Sequence, residues 1–285
     1  MHANPNLAFL SGGGEMGKRM REMDWAATPF GPVETWSPSL KMTVSLLLAN
    51  GQPIIMWWGP EYLCLYNDAY IPVLGAKHSW ALGRPVREVW SEIRDILKPL
   101  IDAPFTGTPT SIDDIRLDLK RHGFLEETHF TVVYSPVPDP TAPNGIGGVI
   151  APVHEITGKV LGERRALVLR QLGQRLADSR TAEGACEIAA ETLAEDRDDL
   201  PFALLYLASE SGDQARLVGA TGLADDASLR PPVVDLKQEP ATWRLNEAAQ
   251  SQAMVLVERS PAGPAAICRS APLRRTSWPA SLSSV

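Results

Sequence analysis

The sequence predicts an α+β protein, and three observations carry the prediction. Two short apolar runs, IIMWW at 54–58 and YLCLY at 62–66, flank the turn residues Gly59-Pro60-Glu61. Segments of helical spacing follow, and three more stretches of strand pattern then close the first half of the chain.

A leader at 11–38 is rich in Gly and Pro, with Trp25 and Trp36 as candidates to anchor it to a core. Ser37 and Pro38 open a helix in which Leu40, Val44, Leu47 and Leu48 share a face up to Asn50-Gly51. The run at 54–58 is β-branched at its start and aromatic at its end, which suits a buried strand, and 62–66 pairs with it as a hairpin. Asn67 and Asp68 are placed to cap a short helix at 69–74 that Gly75 closes. After the Gly83-Arg84-Pro85 break, Val89, Trp90, Ile93, Leu97 and Ile101 predict an amphipathic helix. Strands are predicted at 111–119, with Ile112, Ile115, Leu117 and Leu119, at 129–134 and at 147–153. Residues 35–157 thus hold the elements of a complete core and are expected to fold without the rest.

From Gly158 the texture changes. Leu161, Val168, Leu172 and Leu176 recur among Arg and Glu, which reads as a connecting helix of partly coiled-coil character over 158–180. Thr181 caps a helix through Leu193, strands follow at 202–207 and 215–220, and 242–250 suggests a further helix, so a second α+β domain begins at 181 and runs to 258. Residues 259–285 show no apolar period and a Pro, Ser and Arg bias, the composition of a disordered tail. A domain that stops at 258 leaves its sheet unfinished, so a shifted reading frame in a longer gene is expected beyond that point. Codons can be chosen for 266–269 that read Gly-Asp-Leu-Pro in another frame, and the nucleotide sequence decides the matter.

Composition narrows the functions. A net charge of −7 with no basic stripe argues against a nucleic-acid binder. The apolar region at 43–58 is broken by Asn50, Gly51, Gln52 and Pro53, and nothing before Phe9 resembles a signal peptide, so a cytoplasmic chain with no membrane span is expected. Three cysteines, Cys64, Cys186 and Cys268, lie far apart and suggest buried thiols rather than a disulfide framework or a zinc knuckle. The histidines share no ligand spacing, so no metal and no cofactor is expected.

The two-strand, short-helix, three-strand order, the segment GPEYLCLYNDAYIPVLGAKH and the exit VHEITGKVLGERR resemble a PAS domain, and more specifically the N-terminal PAS region of bacterial PAS-GAF sensor histidine kinases. The leader resembles the segment before that PAS domain, and LRQLGQRLADSRTAEGACEIAAETLAEDRDDLPFALLYL looks like the start of a GAF domain. The resemblance covers about 10–258. It implies a PAS domain with a five-stranded antiparallel sheet and helices at 35–157, a connecting helix, and an incomplete GAF-like α+β domain. It also implies a signal-sensing input module of a two-component phosphorelay, binding a small ligand or partner and relaying a conformational bias.

Two alternatives stand beside that reading: a sensor histidine kinase of which this chain is the N-terminal part, reaching a response regulator only through a kinase core found elsewhere, and a structural dimerisation module without ligand. Trp57, Trp58, Tyr66, Asn67 and Tyr70 are the candidate ligand-binding residues, with plain core packing as the competing reading of the aromatics. Glu155 and Thr157, in the places of the acidic-hydrophobic-Thr exit of PAS domains, and Leu161, Val168 and Leu172 on one helix face are the candidate relay, with a homodimer expected through the connector. Aspartate is the more usual acid at that exit.

Two motifs imitate chemistry. Residues 12–18, GGGEMGK, fit the spacing of a phosphate-binding loop, but Arg19 stands where Ser or Thr would hold magnesium and Glu15 would repel phosphate, so a flexible, turn-rich leader is expected. His154-Glu155 imitates a phosphoacceptor pair, yet it is predicted to end a strand, and no ATP-binding pattern follows it. No catalytic residue is assigned.

Overall fold

A computed structural model describes residues 5–237, 242–253 and 255. The chain divides into two compact units after Val160.

Unit 1 is built on the predicted sheet. Strands β1 (Ile54–Trp58) and β2 (Leu63–Tyr66) form the hairpin, with Ile55 opposite Tyr66 and Trp57 opposite Cys64. Strands β3 (Thr110–Leu119), β4 (Glu126–Pro138) and β5 (Ile146–Glu155) complete a five-stranded antiparallel sheet of order β2-β1-β5-β4-β3. The chain's first strand therefore lies between its second and its fifth, and a run of short helical segments joins β2 to β3. This is a PAS-like fold. The predicted β3 pattern steps by three between Ile112 and Ile115, and the register shifts there, so Asp113 and Asp114 occupy a bulge. On β1, successive side chains alternate. Trp57 turns to the interior, while Trp58 lies flat over the Gly147-Gly148 backbone, where a Cβ on Gly148 would come within 2.5 Å of the indole.

Helix α1 (Glu15–Glu22) and 3-10 turns at Pro5–Leu10, Trp25–Ala27 and Val33–Thr35 replace the flexible leader expected from the sequence. Leu10, Met16, Met20, Trp25 and Trp36 are buried in the same cluster as the sheet residues. Trp25 packs edge-on against Phe30 and Trp36, with centroids at 5.3 and 4.8 Å. The core therefore does not begin at residue 35. Glycines at the start of α1 hid the helix in the sequence, because its cap comes from far along the chain. The Asp68 carboxylate accepts the amides of Gly14 (2.8 Å) and Met16 (3.0 Å).

Helix α2 (Pro38–Ala49) starts as predicted, with Ser37 Oγ accepting the Leu40 amide at 3.1 Å. The short helix after β2 is a 3-10 turn at Asp68–Tyr70 followed by α3 (Ile71–Leu74). The amphipathic helix expected around 89–101 is not one element. It is α4 (Val86–Val89), a 3-10 turn at Ser91–Ile93 and α5 (Arg94–Asp102), because the backbone leaves helical geometry at Trp90. Tyr62, expected to open β2, instead belongs to the turn with a left-handed φ of +52°.

Helix α6 (Thr157–Leu176) has no buried residue. In unit 2, α7 (Ala182–Leu193) is capped by Thr181, and β6 (Ala203–Ala208), β7 (Gln214–Thr221) and β8 (Val233–Asp235) form a three-stranded antiparallel sheet in that order. Strand β8 is absent from the sequence reading because three residues carry too little pattern. A 3-10 turn at Thr242–Arg244 and α8 (Leu245–Ser251) follow. The expected tail at 259–285 and the partial strand before it lie outside the described residues, save Val255.

Candidate functional site

The concave face of the five-stranded sheet and the α3–α5 segment enclose a cavity of about 30 Å³ walled by Trp57, Tyr70, Val73, Trp90, Phe130 and Tyr134. Its walls are almost wholly apolar. Trp57 stacks on Tyr134 with centroids 5.8 Å apart and planes at 21°. A space of this size admits one or two water molecules, since a water needs roughly 10–15 Å³ measured this way. Burial pushes the Tyr70 and Tyr134 phenols well above their ordinary range, so both stay neutral hydroxyls. Trp57 Nε1 is buried without an acceptor of good hydrogen-bond geometry. Cys64 is opposite Trp57 in register, and burial drives its thiol up although the indole N–H opposes the shift, which makes it an inert packing group rather than a nucleophile.

The five candidate ligand residues separate. Trp57 and Tyr70 line the cavity. Trp58 lies over Gly147-Gly148. The buried Tyr66 hydroxyl donates to the His78 carbonyl and meets His78 Nδ1, both at 3.1 Å. His78 Nε2 in turn meets Arg19 at 2.8 Å and Glu15 at 2.7 Å, so Tyr66 belongs to the latch that holds α1. Asn67 is fully engaged with the preceding loop. Its Oδ1 accepts the Ile54 amide at 3.0 Å, and its Nδ2 donates to the Asn50 and Gln52 carbonyls at 2.8 and 2.7 Å. It makes no side-chain cap to the helix that follows, contrary to expectation. A side chain with three buried bonds to β1 and its approach fixes the strand start. Phe130 and Tyr134 were missed as cavity walls although their period-2 spacing on 129–134 marks them as one face of a strand. Which of the two faces meets the cavity follows only from the pairing.

The junction between the sheet and α6 is tied by side chains from three elements. Arg121, in the β3–β4 turn, makes a bidentate pair with Glu155 (2.8 and 2.9 Å) and a further bond to Glu126 at 3.1 Å. Thr157 Oγ1 donates to Glu155 at 2.9 Å and accepts the His129 amide at 3.0 Å, while the Ile156 amide donates to the His129 carbonyl at 2.8 Å. Burial alone would raise the Glu155 carboxyl, but the Arg121 guanidinium and the Thr157 hydroxyl hold it below the usual carboxylate range. Arg121 is anchored in turn, because its carbonyl accepts the Ala76 amide at 2.9 Å. Gly75, at φ +55°, allows this approach, where a Cβ would lie 2.6 Å from that carbonyl oxygen. Phe130, a cavity wall, is opposite Glu155 in the β4–β5 register. Leu161, Val168 and Leu172 are half-buried along α6, and Leu167 and Leu169 are exposed.

The phosphate-loop imitation is explained by the same contacts. The amides that such a loop would offer to phosphate are occupied by Asp68, an internal carboxylate. Asp68→Ala should therefore lower stability by about 1–2 kcal/mol through loss of the α1 cap, while Lys18→Ala should change nothing measurable. Chemical denaturation of both variants checks this. His154 lies within β5, opposite Thr131, and not on a helix. Among the described residues no group of three His, Cys, Asp or Glu side chains is arranged to hold a metal ion, and no helix is long and apolar enough to cross a membrane.

No family model matches the chain, and no curated protein matches it. Solved structures do. The PAS domain of BvgS from Bordetella pertussis is 21% identical over 45% of this chain and 95% of its own, with a TM-score of 0.32. A PAS domain from Colwellia psychrerythraea is 16% identical over 42% of this chain and 98% of its own, at 0.32. A sensory box sensor histidine kinase from Vibrio cholerae is 16% identical over 42% and 97%, at 0.27. The strand order of unit 1, rather than these low scores, carries the assignment of the fold.

Proposed function

We propose that this chain is a signal-sensing input module of a two-component system. In this reading a small ligand or partner biases the cavity side of unit 1, and the bias passes through the Arg121–Glu155–Thr157 junction into α6. The observation that carries the reading is that a cavity wall, Phe130, and the exit residue Glu155 occupy one register pair, with the adjacent His129 backbone holding the first turn of α6. The module acts by population shift, and a coupling of about 1–3 kcal/mol suffices for a several-fold change in output. Unit 2 serves as a GAF-like partner domain, the output belongs to a histidine kinase core elsewhere, and the protein works in the cytoplasm.

The small cavity favours a second reading, a dimerisation module with no ligand. Native mass spectrometry of protein purified from its own host separates the two. A mass increment that survives gentle ionisation and is lost on unfolding supports the sensor, and a bare polypeptide mass supports the dimerisation module.

In either reading α6 forms the homodimer contact through Leu161, Val168 and Leu172. Leu172→Glu would bury a charge at that seam, so sedimentation should show the dimer dissociating by at least tenfold in Kd. An unchanged dimer, or a wild-type monomer, would remove α6 from the interface.

A further inference from the structure

We infer that the hollow between the β1–β2 turn and α5 is a binding site for a small apolar monocarboxylate, with Arg94 as its charge partner and Leu97 as the plug between it and the interior cavity. The hollow holds about 170 Å³. An apolar cavity of roughly 150 Å³ is known to take benzene, so there is room for one ring or a short branched chain. Its apolar lining is Pro60, Tyr62, Val86 and Leu97, and its charged rim is Arg87, Arg94 and Lys98 with Glu61 as the one acid. The rim's charges are not equally available. Arg87 pairs with Glu61 and Lys98 with Asp102, whereas Arg94 has no hydrogen-bond or ion-pair partner among the described residues. One uncommitted guanidinium above an apolar floor suits a monoanion, since a carboxylate accepts the guanidinium fork through both oxygens. A dianion such as phosphate would need cations that are already paired.

Two further features single out this hollow. Tyr62 holds a left-handed φ of +52° with its hydroxyl donating to Asp102 at 2.5 Å, and strain at a non-glycine residue is kept where surrounding contacts enforce it. Leu97 lines both this hollow and the interior cavity, so its side chain is part of the wall that each presents. It is carried by a nine-residue helix that has no side-chain cap at its start and contains Pro99, so α5 is held by few internal bonds. An apolar group that displaced Leu97 would enter the cavity beneath.

The test is calorimetric titration of the full chain with benzoate, with benzamide as the neutral isostere. Benzoate should bind saturably in the millimolar range, at least tenfold more tightly than benzamide, and Arg94→Ala, an exposed change that leaves packing intact, should weaken it at least tenfold. Leu97→Ala should improve binding of 4-propylbenzoate over benzoate at least tenfold, because the propyl group then reaches the inner cavity. Absence of saturable benzoate binding, binding indifferent to Arg94, or equal binding of benzamide overturns the site; failure of the propyl preference alone overturns the plug. The site rests on the sensor reading only for its consequence. Arg94-dependent binding that leaves amide exchange in α6 unchanged supports the site and counts against the relay, whereas a retained ligand in the native protein together with no benzoate binding overturns the site and supports the sensor.

Discussion

Deletion of residues 1–34 from the full chain is expected to abolish the cooperative unfolding of unit 1. Leu10, Met16, Met20, Trp25 and Val33 are all buried against the sheet's cluster. Burying a large apolar side chain contributes about 1.5–3 kcal/mol, so removing several exceeds about 5 kcal/mol, the lower end of a domain's whole stability. The loss is compounded at the new edge, where Tyr66 and His78 would face water without Arg19 and Glu15, and Asp68 would lose both amide partners. Thermal melting followed by near-ultraviolet circular dichroism reads this directly. A deletion variant that melts cooperatively at the temperature of the intact protein would show that the leader packs without stabilising.

The second large effect is expected from Arg121→Ala. The guanidinium is about 12% exposed and neutralises Glu155 and Glu126 together, so its removal leaves two partly buried carboxylates without a cation. Breaking such a pair costs about 3 kcal/mol. The pH dependence has a definite sign. Glu155 titrates below its unfolded value of about 4.3, so its contribution is fully present above that pH and is lost as pH falls through the lower folded value. In Arg121→Ala burial is left as the stronger influence, the carboxyl rises, and the variant should lose less stability than wild type between pH 6 and pH 3. Equal acid limbs in the two proteins would show that the pair contributes no differential protonation.

The sheet was legible because its hairpin is two short apolar runs around turn residues and its later strands carry apolar and β-branched residues between polar breaks, whereas the bulge at Asp113-Asp114 follows only from the pairing. The exit motif was legible because Glu155, Ile156 and Thr157 are contiguous. Arg121 was not, since nothing local distinguishes an arginine in a polar turn from one that closes a bidentate pair 34 residues away. The same limit hid α1, whose cap is Asp68, and led Asn67 to be read as a cap when its bonds run back to Asn50, Gln52 and Ile54. Long-range polar contacts leave no period in a sequence, and here they tie Tyr66 to the leader through His78.

In the proposed relay the cavity wall and the start of α6 move as one element. Hydrogen exchange of the amides at 157–165 in Phe130→Leu tests it most directly, with α7 as internal reference and under conditions where the β1 and β5 amides stay protected. Shortening this wall side chain should loosen the Phe130–Glu155 register and the His129 bonds beside it, so exchange at 157–165 should accelerate at least tenfold while α7 is unchanged. Identical exchange at 157–165 in the variant and the wild type would contradict the account.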